Sequence, residues 1–377
     1  MPLPDLLRAE IARRGPIPFR DFMERALYHP EHGYYTSGRA AIGRAGDFFT
    51  NVSVGPLFGR LLARQVAEMW GRLGRPRPFA IVEQGAHRGD FAHDALAGLR
   101  DLAAECFAAA QYHLVEPSPA LAAVQRERLA EFADRTHWHP DLAALPPFTG
   151  VHFSNELLDA FPVHLVKWNG SAWTERYVEW REGAFAFTDG ALSTPSLVAP
   201  LAMLPAVPAG YQTEINLAAL AWLDSLAPKL DRGYVLAIDY GFSRDEYYRP
   251  ERTDGTLSAY ASHKREPDPL ARPGEIDLTA HVDFTALAEH ALTRGLDLLG
   301  FTDQHHFIVG LSRLQFDDAA PVTLAAQKEL RALQTLMHPT LMGRSFKALC
   351  LSKGIAAAPP LAGFQYATDS RAALGVR

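Results

Sequence analysis

Cysteine and long apolar runs are scarce in this sequence of 377 residues. The two cysteines, Cys106 and Cys350, do not form a disulfide framework, so we interpret them as small apolar side chains in a reducing compartment. No apolar run approaches the roughly 20 residues of a membrane-spanning helix, so we expect no membrane insertion. The first residues include acidic side chains and enter a helix without an apolar leader, a pattern that favours a cytoplasmic protein.

Charge of one sign is not concentrated anywhere in the chain. The net charge is −6 and no block of like charges occurs, which argues against a nucleic-acid partner and favours a basic substrate. The sequence has no G-x-S-x-G elbow, which argues against a hydrolase. His137 and His139, with His113 and His152 on neighbouring predicted strands, have no accompanying carboxylate pattern, so we expect no metal site.

The most informative segment joins an apolar strand to a helix through a glycine turn. The strand begins at Phe79, the turn carries Gly85 and Gly89, and a later second strand ends in a carboxylate, Glu116. In a doubly wound α/β sheet this order builds an adenosine pocket at the carboxyl ends of the strands. The glycines let the backbone approach a ligand, and the carboxylate can accept hydrogen bonds from both ribose hydroxyls.

The spacing of the two glycines distinguishes between cofactors. The turn has the form G-x-x-x-G, whereas a dinucleotide fingerprint has three glycines as G-x-G-x-x-G. This difference argues against a nicotinamide oxidoreductase and is nearer to the pattern of S-adenosylmethionine methyltransferases, whose ligand has no pyrophosphate. An ordinary strand-to-helix turn without a ligand is the alternative.

A second group of candidate residues follows the fourth predicted strand. Asn155 and Glu156 come directly after an apolar run, and a helical turn would place Asp159, three residues further on, beside Glu156. Methyl transfer is an in-line displacement that depends on positioning, and carboxylates can hold a guanidinium and disperse developing charge. We therefore interpret these three as catalytic residues. The alternative is that they cap a helix.

The order of predicted elements indicates the fold. Alternating strands and helices up to Asn155 predict a parallel sheet, the Asn169-Gly170 turn predicts an antiparallel hairpin, and a long polar loop is expected over 241–280. We predict an α/β fold: a Rossmann-like methyltransferase core with a mostly parallel sheet, added helices and an inserted β-ribbon. The expected domains are an N-terminal helical and loop region covering the cofactor site (1–75), the core with C-terminal additions (76–162 and 230–355), the inserted ribbon and helix (163–229) and a loose tail (356–377).

Several ordered sequence blocks resemble those of a known family. They include Tyr28-His-Pro-Glu-His-Gly-Tyr-Tyr35, Asn155-Glu-Leu-Leu-Asp-Ala-Phe-Pro162 and Met342-Gly-Arg-Ser-Phe-Lys347. Over nearly its whole length the chain resembles the MidA-like family of S-adenosylmethionine-dependent methyltransferases. The resemblance implies S-adenosylmethionine as cofactor and a protein arginine as substrate. Mitochondrial members are complex I assembly factors, which implies a protein partner, with a respiratory complex subunit as one candidate; the oligomeric state, including a homodimer, is left open.

The predicted donor site consists of glycines and acidic side chains at strand ends or in glycine-opened loops. We expect Glu116 to hold the ribose and Asp141, after the short third strand, to reach the adenine amine, with Glu83 beneath the turn. The full set of predicted cofactor-binding residues is Glu83, Gly85, Gly89, Glu116, Asp141 and Asp47.

Three residues depart from the pattern of the family. His87 stands where the family turn has its middle glycine, and a positive φ there would strain the turn. Ser53 stands in place of an acidic residue, and Asp90 would repel the carboxylate of the donor if it faced inward. These departures motivate an alternative function: a catalytically weakened or non-catalytic assembly or binding protein that retains the methyltransferase fold.

Overall fold

The computed structural model of the chain describes residues 1–37, 51–261, 264–312, 324–356 and 359–376. The chain forms two compact units. The domain boundaries predicted from the sequence stay a proposal. The first unit comprises Met1–Phe49, Leu158–Ala221 and Phe242–Ala286, and the second comprises Thr50–Leu157, Trp222–Gly241 and Leu287–Arg377.

Helices and strands alternate along much of the chain. Within the described residues, no helix combines the length and the apolar character that crossing a membrane requires. The helices are α1 (Leu3–Arg14), α2 (Phe19–Tyr28), α3 (Leu57–Arg72), α4 (Asp90–Leu102), α5 (Ala104–Ala109), α6 (Pro119–Arg128), α7 (Val198–Ala202), α8 (Leu217–Leu226), α9 (Arg244–Tyr247), α10 (Phe284–Thr293), α11 (Gln304–Ser312), α12 (Leu324–Met337) and α13 (Ser370–Leu374). The strands are β1 (Ile17–Pro18), β2 (Phe79–Gln84), β3 (Ala110–Val115), β4 (Thr136–His139), β5 (Phe148–Asn155), β6 (His164–Trp168), β7 (Trp173–Arg181), β8 (Ala184–Gly190), β9 (Gln212–Ile215), β10 (Leu230–Phe242), β11 (Ser258–Ala261), β12 (Lys264–Glu266), β13 (Asp277–Thr279), β14 (Val282–Asp283), β15 (Asp297–Asp303) and β16 (Phe346–Lys353).

The second unit is built on a sheet with the strand order β15-β16-β10-β5-β2-β3-β4. Neighbouring strands from β10 to β4 are parallel, and β16 is antiparallel to both β10 and β15. Parallel strands are covered on both faces, which is why β2 is buried from Phe79 to Glu83. The predicted α/β fold with a mostly parallel sheet is confirmed, and the carboxyl ends of β2, β3 and β5 meet at one edge.

Aromatic packing connects the helices of this unit to the sheet. The ring of Phe91, in the first turn of α4, stacks on Phe153 of β5 with the centroids 4.2 Å apart. Phe58 of α3 also contacts Phe91, with the ring centroids 5.8 Å apart. The three rings are buried, so they fix the start of α4 relative to the end of β5. Both of these places carry predicted site residues.

The first unit contains an antiparallel sheet with the order β1-β7-β6-β9, and β8 pairs with β7. The N–H of Asn169 donates to the carbonyl of Ala172 at 3.1 Å and closes the hairpin between β6 and β7. This confirms the predicted inserted ribbon. The apolar faces of α1 and α2 contribute Leu7 and Phe22 to the core of this unit, where Val178 of β7 is also fully buried.

The segment 241–280 is more regular than the sequence indicates. Its described residues include α9 and the small sheet β12-β11-β13, so the prediction of a long loop is wrong there. Strands of three or four residues are too short to show a clear alternation of polar and apolar side chains. A buried carboxylate anchors the segment instead: Oε1 of Glu214 accepts hydrogen bonds from the N–H groups of Thr256 and Leu257, both at 2.9 Å.

Candidate active site

The turn after β2 is exposed at Gly85 and leads into α4 at Gly89. Both glycines have left-handed backbones, with φ of +81° and +84°, a conformation that is unfavourable for a residue with a β-carbon. A β-carbon at Gly85 would lie 3.3 Å from Cδ1 of Leu157. The backbone of the turn is therefore accessible at Gly85, and it lies close to Leu157, the residue that follows Glu156.

His87 lies in the middle of this turn with a φ of +46°. A positive φ is disfavoured for L-residues by roughly 1–2 kcal/mol, so the backbone at His87 is strained. The carbonyl oxygen of His87 accepts a hydrogen bond from Nε2 of Gln125 at 2.8 Å. This bond from α6 helps to hold the strained turn.

Asp90 begins α4, and its carboxylate forms an ion pair with Arg128. Its Oδ1 accepts a hydrogen bond from Nε of Arg128 at 2.7 Å. Arg128 belongs to α6, so the negative charge is compensated there. The repulsion expected for an inward-facing carboxylate is thus offset by a cation. Ser53, the third departure from the family pattern, lies in a short 3-10 helix, Asn51–Val54.

Glu83 lies in β2 just before the turn and is almost completely buried. The hydroxyl of Tyr112 on β3 donates to Oε2 of Glu83 at 2.7 Å. Burial raises the pKa of Glu83 to about 8, because the charged form loses its solvation. The side chain is therefore mostly neutral at pH 7. Its contact with a cofactor stays a prediction.

Glu116 follows β3 at the neighbouring strand end. Its Oε1 accepts a hydrogen bond from the N–H of Ser118 at 2.8 Å, and its Oε2 accepts one from Nε2 of Gln125 at 2.9 Å. Burial raises the pKa of Glu116, and these two donors oppose that shift. Each carboxylate oxygen can accept a second hydrogen bond. The predicted role of Glu116 as the acceptor for the ribose hydroxyls stays a prediction.

The other two predicted cofactor residues have less structural support. Asp141 is exposed, and its Oδ1 accepts a hydrogen bond from the N–H of Ala144 at 2.8 Å. This bond stabilises a local turn and leaves the second oxygen available for an amine. Asp47 lies outside the described residues.

The chain after β5 is held firmly at Glu156. The N–H of Leu157 donates to Oδ2 of Asp239 at 3.1 Å, and Asp239 is a buried residue of β10, the adjacent strand. Glu156 itself has a φ of +52°, a conformation that non-glycine residues keep only when their surroundings impose it. Because Leu157 also approaches Gly85, the structure brings the end of β5 next to the glycine turn.

A chain of amide hydrogen bonds reaches Glu156 from a helix of the same unit. Nε2 of Gln304, in α11, donates to the carbonyl of Leu336 at 3.1 Å and to Oδ1 of Asn51 at 2.8 Å. Nδ2 of Asn51 donates to Oδ1 of Asn155 at 2.8 Å. Nδ2 of Asn155 donates to Oε1 of Glu156, also at 2.8 Å. Three amides thus connect α11 to the predicted catalytic carboxylate.

The direction of these bonds has a chemical consequence. A backbone carbonyl only accepts, so the nitrogen of Gln304 faces Leu336, and each following amide presents its oxygen to the previous one and its nitrogen to the next. The chain ends with a donor on Glu156, which favours the ionised carboxylate. Asn51 and Gln304 are fully buried. Sequence reasoning did not identify them as site residues, because no local pattern connects residues so far apart in the chain.

Asp159 belongs to a different compact unit from Asn155 and Glu156. It belongs to the first unit, where it is buried and its carbonyl accepts a hydrogen bond from the N–H of Ala280 at 2.9 Å. Residues 156–160 form turns and bends but no helix. The helical turn that would place Asp159 beside Glu156 is therefore wrong, and its catalytic role stays a prediction.

The histidines on β3 and β4 contact one another. Nδ1 of His113 lies 3.0 Å from Nε2 of His139, and burial is the main cause that lowers the pKa of His113 to about 4. A neutral imidazole pair can share such a hydrogen bond. Among the described residues, no group of three or more histidine, cysteine or acidic side chains is arranged to hold a metal ion.

Comparisons with known proteins bear directly on this site. Residues 61–302 match a family model described as S-adenosyl-L-methionine-dependent methyltransferases. A crystal structure from Burkholderia thailandensis, bound to S-adenosyl-homocysteine, is 36% identical, with a TM-score of 0.88 over 98% of this chain and 96% of that chain. A protein arginine methyltransferase NDUFAF7 homolog, mitochondrial, from Drosophila melanogaster is 32% identical over 95% of this chain and 87% of its own length. The human protein arginine methyltransferase NDUFAF7, mitochondrial, is 27% identical over 92% of this chain and 82% of its own length.

The same relatives correct one expectation. The NDUFAF7 relatives are named as mitochondrial proteins, so the prediction of a cytoplasmic location is wrong. That prediction was drawn from composition and from the character of the first residues. Location depends on how a protein is targeted, and the folded core, whose composition is ordinary for a globular protein, carries little information about it.

Proposed function

The chain belongs to this family of S-adenosyl-L-methionine-dependent methyltransferases, and we propose that it methylates an arginine side chain of a protein substrate. The relatives named as protein arginine methyltransferases support this choice. The net charge of −6 also favours a basic acceptor. We further propose a respiratory complex subunit as the substrate, because the family that the sequence resembles includes complex I assembly factors. A homodimer remains one candidate for the assembly.

The donor site fits the cofactor of the family in two respects. Gly85 and Gly89 carry no β-carbon at the two ends of the turn, and each oxygen of Glu116 can accept a second hydrogen bond. We assign Gly85 and Gly89 to the approach of the donor and Glu116 to its ribose hydroxyls. Asp141 is our candidate for the adenine amine. When bound, S-adenosylmethionine supplies an electrophilic methyl group on a sulfonium.

We assign the acceptor nitrogen to Glu156. A guanidinium stays protonated at any ordinary pH, so its binding needs an ionised partner, and its reaction needs one nitrogen turned toward the methyl group. The amide chain through Asn155 favours the ionised form of Glu156 and fixes its orientation. Transfer forms the N–C bond, breaks the S–C bond to leave S-adenosylhomocysteine, and releases one N–H proton from the guanidinium to solvent. A carboxylate at this position is suited to orient that nitrogen and to stabilise the charge that develops.

One observation carries the proposal: the residue after Glu156 packs against the donor turn. The β-carbon that Gly85 lacks would lie 3.3 Å from Leu157, and the N–H of Leu157 is held by Asp239 at 3.1 Å. The donor turn and the acceptor carboxylate are therefore parts of one rigid sheet edge. In-line transfer requires such fixed positioning of the two reactants.

The test is single-turnover methylation with a labelled donor. The protein is incubated with labelled S-adenosylmethionine and lysate from a strain lacking this protein, and the labelled polypeptide and residue are identified by mass spectrometry. We expect label on an arginine and a loss of roughly 100-fold or more in the rate for Glu156→Gln. Glu127→Gln, on the exposed face of α6, is the matched control and should react like the wild type.

Three outcomes would contradict parts of the proposal. Full single-turnover activity of Glu156→Gln would remove the role given to that carboxylate. Donor binding without transfer to any polypeptide would favour a non-catalytic assembly protein that keeps the fold. Label on a residue other than arginine would correct the substrate and leave the donor site as assigned.

A further inference from the structure

Gln125 is a buried amide that contacts both the glycine turn and Glu116. It lies on α6 with 0% of its surface exposed, and its side chain contacts three different elements. Nε2 donates to the carbonyl oxygen of His87 in the glycine turn at 2.8 Å and to Oε2 of Glu116 after β3 at 2.9 Å. Oε1 accepts a hydrogen bond from Nε1 of Trp138 on β4 at 3.0 Å.

These contacts permit one orientation of the amide. The indole N–H of Trp138 can only donate, so the oxygen of Gln125 must face it. The nitrogen then faces two groups that only accept, a backbone carbonyl and a carboxylate. Both N–H bonds of the amide are used, one on each acceptor. Trp138 thereby determines which end of Gln125 is presented to the turn and to Glu116.

The position of Gln125 relative to the turn is equally restricted. A β-carbon at Gly89 would lie 3.6 Å from Cγ of Gln125, so α6 packs directly on the end of the turn. His87 has an unfavourable positive φ, and its carbonyl receives a bond from Gln125. A turn that has a histidine in place of glycine needs such an external contact more than an all-glycine turn does.

We propose that Gln125, oriented by Trp138, is a positioning residue of the donor site. It holds the backbone of the turn at His87 and the carboxylate of Glu116 in fixed positions relative to each other. The inference rests on the proposed function, in which Glu116 binds the ribose of the donor. Gln125 acts through these two groups. Its loss should therefore weaken donor binding and leave turnover at saturating donor nearly unchanged.

The main test is the affinity for S-adenosylhomocysteine, measured by calorimetry on the full chain. Gln125→Met keeps the length of the side chain and removes both donors. Hydrogen bonds to charged groups contribute enough that we expect Kd to rise roughly 10- to 100-fold. Gln111→Met is the matched control, because Gln111 on β3 makes a comparable bond to the ring of His137, at 2.8 Å, near the opposite end of that strand. It should bind like the wild type.

Two second-site variants separate positioning from a purely structural role. His87→Gly adopts a positive φ without help, and Glu116→Gln removes the charge on which Gln125 acts. In either background the additional loss caused by Gln125→Met should be smaller than in the wild type. The apparent KM for the donor should rise while kcat stays within about twofold.

The outcomes distinguish this proposal from the proposed function. If the wild type fails to bind S-adenosylhomocysteine, the assignment of the donor site is wrong, and this inference falls with it. If the wild type binds and Gln125→Met stays within twofold, or if its loss is equal in all backgrounds, only the role of Gln125 is overturned. If Gln125→Met does not fold, Trp138→Phe replaces it, with a smaller loss expected and unchanged affinity refuting the proposal.

Discussion

Replacing Glu83 by glutamine should change how the stability of the second unit depends on pH. Burial raises the pKa of Glu83 from 4.5 to about 8 in the folded protein. The folded state therefore holds the proton more tightly than the unfolded state, and stability falls as the pH rises between these two values. The decline is about 1.4 kcal/mol per pH unit, which amounts to about 3 kcal/mol at pH 7.

Glu83→Gln is neutral at every pH, so this decline should disappear from the variant. Its amide oxygen can still accept the hydrogen bond that Tyr112 donates to Glu83 at 2.7 Å. Its amide nitrogen lacks the partner that a buried donor requires, a cost that is independent of pH. The informative quantity is therefore the change with pH of the difference in unfolding free energy between variant and wild type, and not its value at one pH.

The assay is urea unfolding of both proteins in steps from about pH 5 to about pH 8.5. We expect the stability of Glu83→Gln relative to the wild type to increase by about 4 kcal/mol over this range. Glu127→Gln, at an exposed position, should follow the wild type throughout. Parallel curves for Glu83→Gln and the wild type would show that Glu83 is already ionised in the folded protein, and the reasoning would fail.

Three further substitutions test the turn and the amide chain. His87→Gly should raise the unfolding free energy by about 1 kcal/mol by relieving the positive φ; a lower urea midpoint would contradict the strain. Gly85→Ala should cost about 1–2 kcal/mol and weaken S-adenosylhomocysteine binding in calorimetry, whereas unchanged affinity would mean that the donor does not approach this backbone. In Asn51→Asp, a carboxylate oxygen faces Oδ1 of Asn155, so the Asn155 amide should rotate and stop donating to Glu156, and the single-turnover rate should fall. A rate equal to that of the wild type would show that the amide chain does not act on Glu156.

The parts of the site that sequence reasoning predicted are local in the chain. Gly85 and Gly89 are separated by three residues, and the turn between them follows from a strand, a helix and a pair of positive φ angles. Glu116 follows the next strand, and parallel strands bring their carboxyl ends to one edge. The inserted hairpin is similarly local, because its turn residues are adjacent.

The parts that were missed depend on contacts between distant segments. Asn51 and Gln304 meet across a sequence separation of 253 residues, and only the packed sheet edge places both near Asn155. Gln125 shows no motif, since a glutamine on a helix is ordinary. The helical turn that relates Asp159 to Glu156 in the sequence analysis does not form. Pairings of this kind are determined by tertiary packing, which local patterns do not encode.

The two acidic residues at the ends of β2 and β3 show how the surroundings of a carboxyl group affect its pKa. Glu83 is buried and accepts a hydrogen bond from the hydroxyl of Tyr112, and it stays mostly neutral near pH 7. Glu116 is less buried and receives two N–H donors, which favour the charge that a ribose diol needs from its acceptor. The neighbouring ends of β2 and β3 therefore carry two carboxyl groups in different environments: burial keeps one of them mostly neutral, and the other receives N–H donors that oppose the effect of burial on its pKa.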